Sequence, residues 1–252
     1  SLVGSEMCIR DSNYFHILSS RDFLINLLTN DIKYARIRLF VNDYFPEDKC
    51  MSVKNNFKHT VLASYGGYIT QAIVNNFAPL LFLIFQDSFG IPIEEITLLV
   101  TINFLVQLAI DLVSAGFVDK IGYRTCLIAA HIFAAAGIAG LGILPFIMPP
   151  FAGLLTSVVL YAIGGGMTEV LISPIVEACP TEGKSAAMSL LHSFYCWGHV
   201  ALVLLSTLFF AAFGTANWRV LTLLWMIVPI ANAVYFLSLI HISEPTRLAL
   251  IS

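Results

Sequence analysis

The 252-residue sequence has little charge and no excess of basic residues. Charged residues make up 12% of the chain, roughly half the share found in an ordinary soluble domain, whereas 58% of residues are hydrophobic. There are 13 lysines and arginines against 16 aspartates and glutamates, so the sequence lacks the basic excess of a nucleic-acid-binding protein. These shortages exclude a soluble enzyme, a disordered chain and a nucleic-acid binder. With a mean hydropathy of +0.84, the chain is predicted to be a membrane protein.

The sequence also lacks a pattern that would bind a metal or form a disulfide framework. None of its five cysteines belongs to a CxxC pair or a regular spacing, and its glycine-rich run is not followed by the lysine of a nucleotide-binding loop. The cysteines are Cys8, Cys50, Cys126, Cys179 and Cys196. We therefore predict no metal site, no cofactor and no enzymatic activity.

The two ends of the chain are related to each other through their DNA. Codons for residues 237–247 (LSLIHISEPTR), read as the reverse complement in another frame, encode residues 2–12 (LVGSEMCIRDS). This relation resembles a transposase sequencing adapter translated at both ends of an assembled sequence. Residues 1–12 and 237–252 are therefore predicted to be adapter-derived, and such segments carry no information about the fold.

The native part is predicted to begin at Met51 and to extend to Phe236. Residues 13–50 form a doubtful leader without clear periodicity, which is either translated upstream DNA or a natural amphipathic segment. The native protein is expected to continue past Phe236 into sequence that is missing here.

Six apolar runs are long enough to cross a bilayer as helices, since its hydrocarbon core of about 30 Å takes about 20 residues. Short connections with polar or helix-breaking residues separate the runs, and none alternates as a transmembrane β-strand would. The predicted fold class is an all-α membrane protein with six transmembrane helices in one bundle. The six spans are about 60–85, 96–118, 125–148, 151–175, 186–210 and 220–236.

The basic residues near these spans are distributed unequally between the two sides. Five of them precede span 1 or follow spans 2 and 4, whereas Arg219 alone lies on the opposite side. Lysine and arginine are enriched in cytoplasmic loops, so the N-terminus and the end of span 6 are predicted to be cytoplasmic in the cell membrane. The five residues are Lys54, Lys58, Lys120, Arg124 and Lys184.

Glu169 lies within span 4, after a run of three glycines and five residues before Pro174. Ionisable side chains at such a depth are costly and usually line a cavity or a pathway. A carboxyl group there can take up and release a proton, which favours a role in substrate binding or proton coupling. The alternative is a protonated glutamate that hydrogen-bonds between helices. The glycines indicate close helix packing rather than phosphate binding.

Amide side chains follow helical spacing in spans 1 and 2. Gln71, Asn75 and Asn76 lie at i, i+4 and i+5. Asn103 and Gln107 form a further i, i+4 pair. Amides supply paired donors and acceptors to a hydroxylated solute such as a sugar, so all five are candidates for substrate binding or proton coupling. The alternative is that they hold neighbouring helices together.

Span 5 places His192, Tyr195 and His199 on one helix face, at i, i+3 and i+7. His192 and Tyr195 are predicted to contact the solute, with Phe194 and Trp197 nearby to stack on a sugar ring. His199 is expected to be a satisfied packing residue. Haem or metal binding by the two histidines is the alternative, but no second helix supplies an obvious set of ligands.

The connection after span 2, residues 116–124 (GFVDKIGYR), concentrates glycines and charges on the predicted cytoplasmic side. Asp119 can accept hydrogen bonds at a helix N-terminus, while Lys120 and Arg124 can pair with an acidic helix end such as Glu177. Such contacts, broken and remade, bias two conformations, so a conformational gate is predicted here; an ordinary charged loop is the alternative. The predicted gate residues are Gly116, Asp119, Lys120, Gly122, Arg124, Glu177 and the deeper Asp111.

These residues resemble the major facilitator superfamily of transporters. The run from Gly116 to Arg124 is similar to the signature of its loop between helices 2 and 3, G-x-x-x-D-R/K-x-G-R/K-R/K, with one residue fewer before the aspartate. The run GGGMTEVLISP around Glu169, together with His192 and Gly198, resembles the fucose permease branch of sugar:proton symporters. The glutamate of that branch takes part in substrate binding and proton coupling, and the resemblance places this role on Glu169.

The resemblance covers residues 63–236 and implies one half of a transporter. The superfamily folds as two six-helix bundles, each built from inverted three-helix repeats, with the solute between them near the midplane. This chain would be the N-terminal bundle, and a missing C-terminal half would complete the site. Two positions depart from the branch, because Asn75 and Asn76 are not followed by its acid and His192 replaces an amide. The missing acid argues against fucose as the solute and against a relay of two carboxylates, and His192 is expected to alter the selectivity.

The predicted function is secondary active transport of a sugar or similar small polar solute by alternating access. The proton is the expected coupling ion, and the lipid bilayer and the second bundle are the expected partners. Three other functions stay open: a drug or metabolite efflux antiporter of the same superfamily, an intramembrane enzyme or haem protein, and a membrane protein that does not transport.

Genomic DNA flanking the chain tests the predicted ends and the second bundle. We expect the adapter-like stretches to be replaced by other sequence, and a long cytoplasmic linker with further apolar spans to follow Phe236. Sequencing across both ends gives the answer directly. A stop codon immediately after Phe236 would contradict the predicted C-terminal half.

Overall fold

The computed structural model describes residues 57–179 and 183–239, and within them every regular element is a helix. Two short 3₁₀ turns, Leu144–Phe146 and Thr215–Asn217, join the fourth helix to the fifth and the sixth to the seventh. The predicted adapter residues 1–12, the leader 13–50, Met51 and residues 240–252 lie outside the described part. The helices are α1 (Phe57–Leu80), α2 (Phe82–Phe89), α3 (Ile93–Ile121), α4 (Tyr123–Ile143), α5 (Pro150–Ala178), α6 (Lys184–Phe213) and α7 (Trp218–Ser238).

The helices confirm an all-α bundle with six apolar spans. In the described residues, five helical segments are long and apolar enough to cross a membrane, and α1 with α2 makes a sixth. Span 1 was predicted as one continuous helix, but the structure bends it by 44° between α1 and α2. Pro79 in the last turn of α1 explains the break, because proline has no backbone N–H to donate and its ring crowds the preceding turn.

Helices α4 and α5 pack so closely that the backbone of each lies against the backbone of the other. A Cβ atom built on Gly137 of α4 would lie 2.4 Å from the backbone nitrogen of Tyr161. One built on Gly164 of α5 would lie 2.4 Å from the carbonyl oxygen of Ala130. Both distances are far below van der Waals contact, so only glycine permits the approach. The prediction that the span 4 glycines serve close packing is confirmed for Gly164.

Two apolar clusters fill the bundle, one toward each end. One contains Phe77, Phe85 and Trp218, and the other contains Leu127 and Phe236. Along α1 the change from one cluster to the other falls between Tyr68 and Ile73, and along α5 it falls at glycines 164–166. The polar side chains of the candidate site lie at this level, between the two clusters.

Candidate solute-binding site

A cavity of about 190 Å³ opens between α1, α5 and α6 at the level where the two apolar clusters meet. Five residues predicted from the sequence line it, together with one tyrosine that was not predicted. The predicted residues are Gln71, Asn75, Glu169, His192 and Tyr195, and the added residue is Tyr68.

The carboxylate of Glu169 is the acidic group of this pocket. Its Oε2 atom accepts a hydrogen bond from Nε2 of Gln71 at 3.2 Å. The side chain is exposed to the pocket, and Asp111 on α3 and His192 on α6 lie within electrostatic range of it. The carboxylate therefore faces the cavity, and its hydrogen bond with Gln71 of α1 fixes its orientation.

Gln107 of α3 lies behind the pocket and connects its amides. Its Nε2 atom donates to Oδ1 of Asn75 at 2.7 Å and to Oδ1 of Asn103 at 3.0 Å. Its Oε1 atom accepts from Nε2 of Gln71 at 3.4 Å. Gln107 and Asn103 are only 4% and 3% exposed, so they support the lining residues and do not line the cavity themselves.

Tyr195 of α6 receives hydrogen bonds from two amides of α1. The Nδ2 atoms of Asn75 and Asn76 each lie 3.4 Å from its hydroxyl oxygen. Asn76 also donates to the carbonyl oxygen of Ala72 at 2.8 Å. The predicted polar face of span 1 therefore exists and is directed toward α6, with Asn75 in the cavity wall.

Tyr68 belongs to the pocket, although the sequence analysis missed it. Its hydroxyl group lies 2.9 Å from Oγ of Ser173, and its ring meets that of His192 edge-on at 5.4 Å. Tyr68 precedes Gln71 by three residues, so helical spacing placed it on the same face. It was not predicted because the search for a polar face in span 1 considered amide side chains and not tyrosine hydroxyl groups.

Phe194 and Trp197 do not line the pocket, so their predicted stacking on a sugar ring is not supported. The Phe194 ring stacks on Tyr65 of α1 with centroids 4.6 Å apart and meets the Trp197 ring at 5.1 Å. Two residues along a helix rotate a side chain by about 200°, which turns Phe194 away from the side of His192. These rings hold α6 against α1.

Three further histidines lie in the described residues, and one of them, His59, bonds the hydroxyl group of Tyr235 at 2.7 Å. His199 is exposed within the described residues, so its packing role stays a prediction. His131 is buried, with Nδ1 bonded to the carbonyl oxygen of Leu127 and Nε2 to the amide of Asn232. Within residues 57–179 and 183–239, no group of three or more His, Cys, Asp or Glu side chains is arranged to hold a metal ion.

The predicted gate lies at the end of α3, where Gly122 adopts φ 94° and turns the chain into α4. Arg124 donates from Nε to the carbonyl oxygen of Phe236 at 3.3 Å and from its terminal nitrogen to that of Leu237. The guanidinium therefore caps the last turn of α7 rather than pairing with Glu177, because unpaired helix-terminal carbonyls attract a cation. Gly116, Asp119, Lys120 and Glu177 are exposed around this contact.

Asp111 lies deeper in α3 than the rest of the predicted gate and within electrostatic range of Glu169. It lies one helical turn beyond Gln107 on α3, and its Oδ1 atom is buried without a hydrogen-bond partner among the described residues. A second carboxyl group therefore lies near Glu169, on α3 instead of span 1, although it does not line the pocket. Sequence reasoning had placed it with the gate because it shares a helix with residues 116–121.

Six apolar spans around a pocket of one carboxylate, amides and tyrosines define a multi-pass membrane protein of the transporter type. Residues 63–251 match the sequence model of the Major Facilitator Superfamily. This match covers most of the chain, which therefore belongs to that family of secondary transporters. A comparison with curated proteins finds no match. The family match continues past Phe236, so the adapter origin of residues 237–252 stays a prediction.

Proposed function

We propose that this protein moves a sugar or similar small polar solute across the membrane, coupled to protons. The observation that carries the proposal is the carboxylate of Glu169, hydrogen-bonded to Gln71 in a pocket otherwise lined by an amide, a histidine and two tyrosines. A volume of about 190 Å³ holds roughly six water molecules, which is the size of one small polar solute.

The lining chemistry favours a hydroxylated solute over an amphipathic drug. Amide, carboxylate and phenol groups supply hydrogen-bond donors and acceptors on three sides of the cavity. An efflux protein for apolar compounds needs open aromatic surface, whereas Phe194 is stacked on Tyr65. The proposed solute therefore has several hydroxyl groups and no large apolar part.

Proton coupling is assigned to Glu169. An ionisable side chain within a membrane span is kept where it has a function, because its burial is costly. Glu169 is exposed to the pocket and near Asp111, so a proton and a solute can reach the same place. We propose that the coupling proton binds Glu169. We also propose that the N-terminal end of α1 and the C-terminal end of α7 face the cytoplasm.

A second six-helix bundle is proposed to cover the pocket. Glu169 and His192 are both exposed in the described chain, and neither can face hydrocarbon. Among the five spans formed by α3 to α7, the smallest shares of buried residues are those of α3 and α6, at 22% and 17%. A second bundle packed on this side would close the cavity and complete the solute site.

Uptake by the full-length protein in proteoliposomes tests this function. We expect ¹⁴C-labelled D-glucose, D-galactose or L-fucose to accumulate when the outside is more acidic than the lumen, because proton entry would drive solute entry. A protonophore should remove the accumulation without stopping exchange of labelled for unlabelled sugar. Extrusion of ethidium with no movement of any hexose would support the efflux alternative instead.

A further inference from the structure

One continuous chain of hydrogen bonds joins Glu169 to Tyr195 through three amides. Nε2 of Gln71 lies between Oε2 of Glu169 at 3.2 Å and Oε1 of Gln107 at 3.4 Å. Nε2 of Gln107 then donates to Oδ1 of Asn75 at 2.7 Å, and Nδ2 of Asn75 donates to the Tyr195 hydroxyl at 3.4 Å. The chain therefore passes from α5 through α1 and α3 to α6.

In every hydrogen bond of this series, the donor and the acceptor are arranged as an ionised Glu169 requires. A carboxylate only accepts hydrogen bonds, so Gln71 must present its NH₂ group. Each amide has one donor end and one acceptor end, so the orientation of Gln71 fixes that of Gln107 and then that of Asn75. Tyr195 receives N–H groups from Asn75 and Asn76, which leaves its own O–H free to donate to a solute.

The orientation of Gln71 leaves one polar atom unsatisfied. Its Oε1 atom is buried and has no hydrogen-bond partner among the described residues, although the side chain is only 2% exposed. An orphaned buried acceptor is destabilising, so the present orientation depends on the bonds that the NH₂ group makes with Glu169 and Gln107. Turning the amide over would bring this oxygen to Glu169, where it would accept a hydrogen bond from a protonated carboxyl group, and would move the NH₂ group to the position without a partner.

We propose that protonation of Glu169 reverses the whole chain and changes Tyr195 from a hydrogen-bond donor to an acceptor toward the solute. A protonated Glu169 donates its O–H to Oε1 of the reversed Gln71. Gln107 then donates to that same oxygen, and Asn75 donates to the oxygen of Gln107. Asn103, which now accepts from Gln107, turns over as well and donates to that oxygen. Tyr195 donates its O–H to Asn75, so only its oxygen lone pairs stay available to a solute.

This inference rests on the proposed role of Glu169 as the proton-binding group, and it adds how the solute site senses the proton. One O–H bond forms as the proton binds Glu169 and no other covalent bond changes, while the amides rotate by about half a turn and exchange their hydrogen bonds. Gln71 and Gln107 are 2% and 4% exposed, so little water competes for their hydrogen bonds. In such a setting neighbouring hydrogen bonds polarise one another and change together.

Other titratable side chains lie around Glu169. They are Asp111 from α3, His192 and Tyr195 from α6, and Tyr68 from α1. His131, on α4, is held by the carbonyl oxygen of Leu127 and by Asn232. None of these groups stands between Gln71 and Asn75, so the direction of the chain depends on Glu169.

Raman spectroscopy of the full-length protein tests the reversal without any solute. The ring doublet of tyrosine differs when its hydroxyl donates and when it accepts a hydrogen bond. Subtracting the spectrum of Tyr195→Phe isolates Tyr195 from the other tyrosines of the protein. Across the titration of Glu169 we expect the Tyr195 doublet to change from an acceptor pattern at high pH to a donor pattern at low pH.

Three variants separate a relay from simple support of the pocket. Glu169→Gln should leave the Tyr195 doublet independent of pH. Gln107→Met removes the central amide at similar volume and should also abolish the pH response. Asn103→Leu removes only a side branch that bonds Gln107, and it should keep the response because no link between Glu169 and Tyr195 is lost. Asn75→Leu breaks the chain one link later and replaces Gln107→Met if that variant does not fold.

A Tyr195 doublet that is independent of pH in the unaltered protein would overturn the inference, as would a full response in Gln107→Met. The proposal that the solute is a sugar can be contradicted independently of the relay. If no hexose is transported but the doublet still responds through Gln107, the solute is wrong and the relay stands. If hexoses accumulate with protons and the doublet does not respond, the proposed function stands and the relay is wrong.

Discussion

Replacing Glu169 by glutamine in the full-length protein should abolish accumulation of the solute and leave exchange intact. Glutamine keeps the size and hydrogen-bonding ability of the side chain beside Gln71 but cannot bind and release a proton. For one proton per solute, each unit of pH gradient supports about a tenfold solute gradient, and we expect the variant to give none. Uptake and counterflow of the same labelled hexose in proteoliposomes measure the two activities.

The unaltered protein should show a pH dependence of defined sign. A symporter must protonate Glu169 from the outside before the solute enters, so accumulation should rise as the outer pH falls and vanish as it rises. Asp87→Asn is the matched control, since it makes the same carboxyl-to-amide change at an exposed position of α2. Persistent, pH-dependent accumulation in Glu169→Gln would show that another group couples the proton.

The helices and the polar face of α1 could be predicted because both depend on spacing along the chain. The six spans follow from runs of apolar residues long enough for a bilayer. The i, i+4 spacing of Gln71 and Asn75, and of Asn103 and Gln107, places each pair on one side of its helix whatever the rest of the protein does. The structure then brings these sides together around Gln107.

The partners of single side chains could not be predicted, because they depend on how helices rotate against one another. Arg124 was expected to pair with an acidic helix end such as Glu177. In the structure it donates to a carbonyl oxygen at the C-terminal end of α7. Phe194 lies beside His192 in sequence but faces Tyr65 in space. The bend after Pro79 was not predicted, because the length of the hydrophobic run indicated one continuous span. The proline itself was visible in the sequence.

The buried pair of His131 and Asn232 shows the same limit. Asn232 of α7 donates to Nε2 of His131 at 2.9 Å and to the carbonyl oxygen of Ala63 at 3.2 Å, which joins α4, α7 and α1. A lone histidine and a lone asparagine in two apolar spans carry no pattern that relates them. Because a buried polar group without a hydrogen bond is destabilising, the sequence predicted that each residue has a partner, but not which one.

Gly137→Ala should be among the most destabilising single-methyl changes in the bundle. The added Cβ would lie 2.4 Å from the backbone nitrogen of Tyr161 and 2.6 Å from the carbonyl oxygen of Ser157. Backbone atoms cannot rotate away as a flexible side chain can, so α4 and α5 would have to separate. Such overpacking costs about 1–3 kcal/mol, and we expect the midpoint of thermal unfolding in detergent to fall by on the order of 5–10 °C.

Gly116→Ala is the control for this change, because a Cβ at Gly116 on α3 meets no atom within 4 Å. Alanine favours a helix over glycine by about 1 kcal/mol, so this variant should be as stable as the unaltered protein or slightly more stable. Separation of α4 from α5 should also displace Glu169, which α5 carries, and weaken solute binding together with stability. A Gly137→Ala protein that unfolds at the original temperature would mean that the two helices lie farther apart than the structure places them.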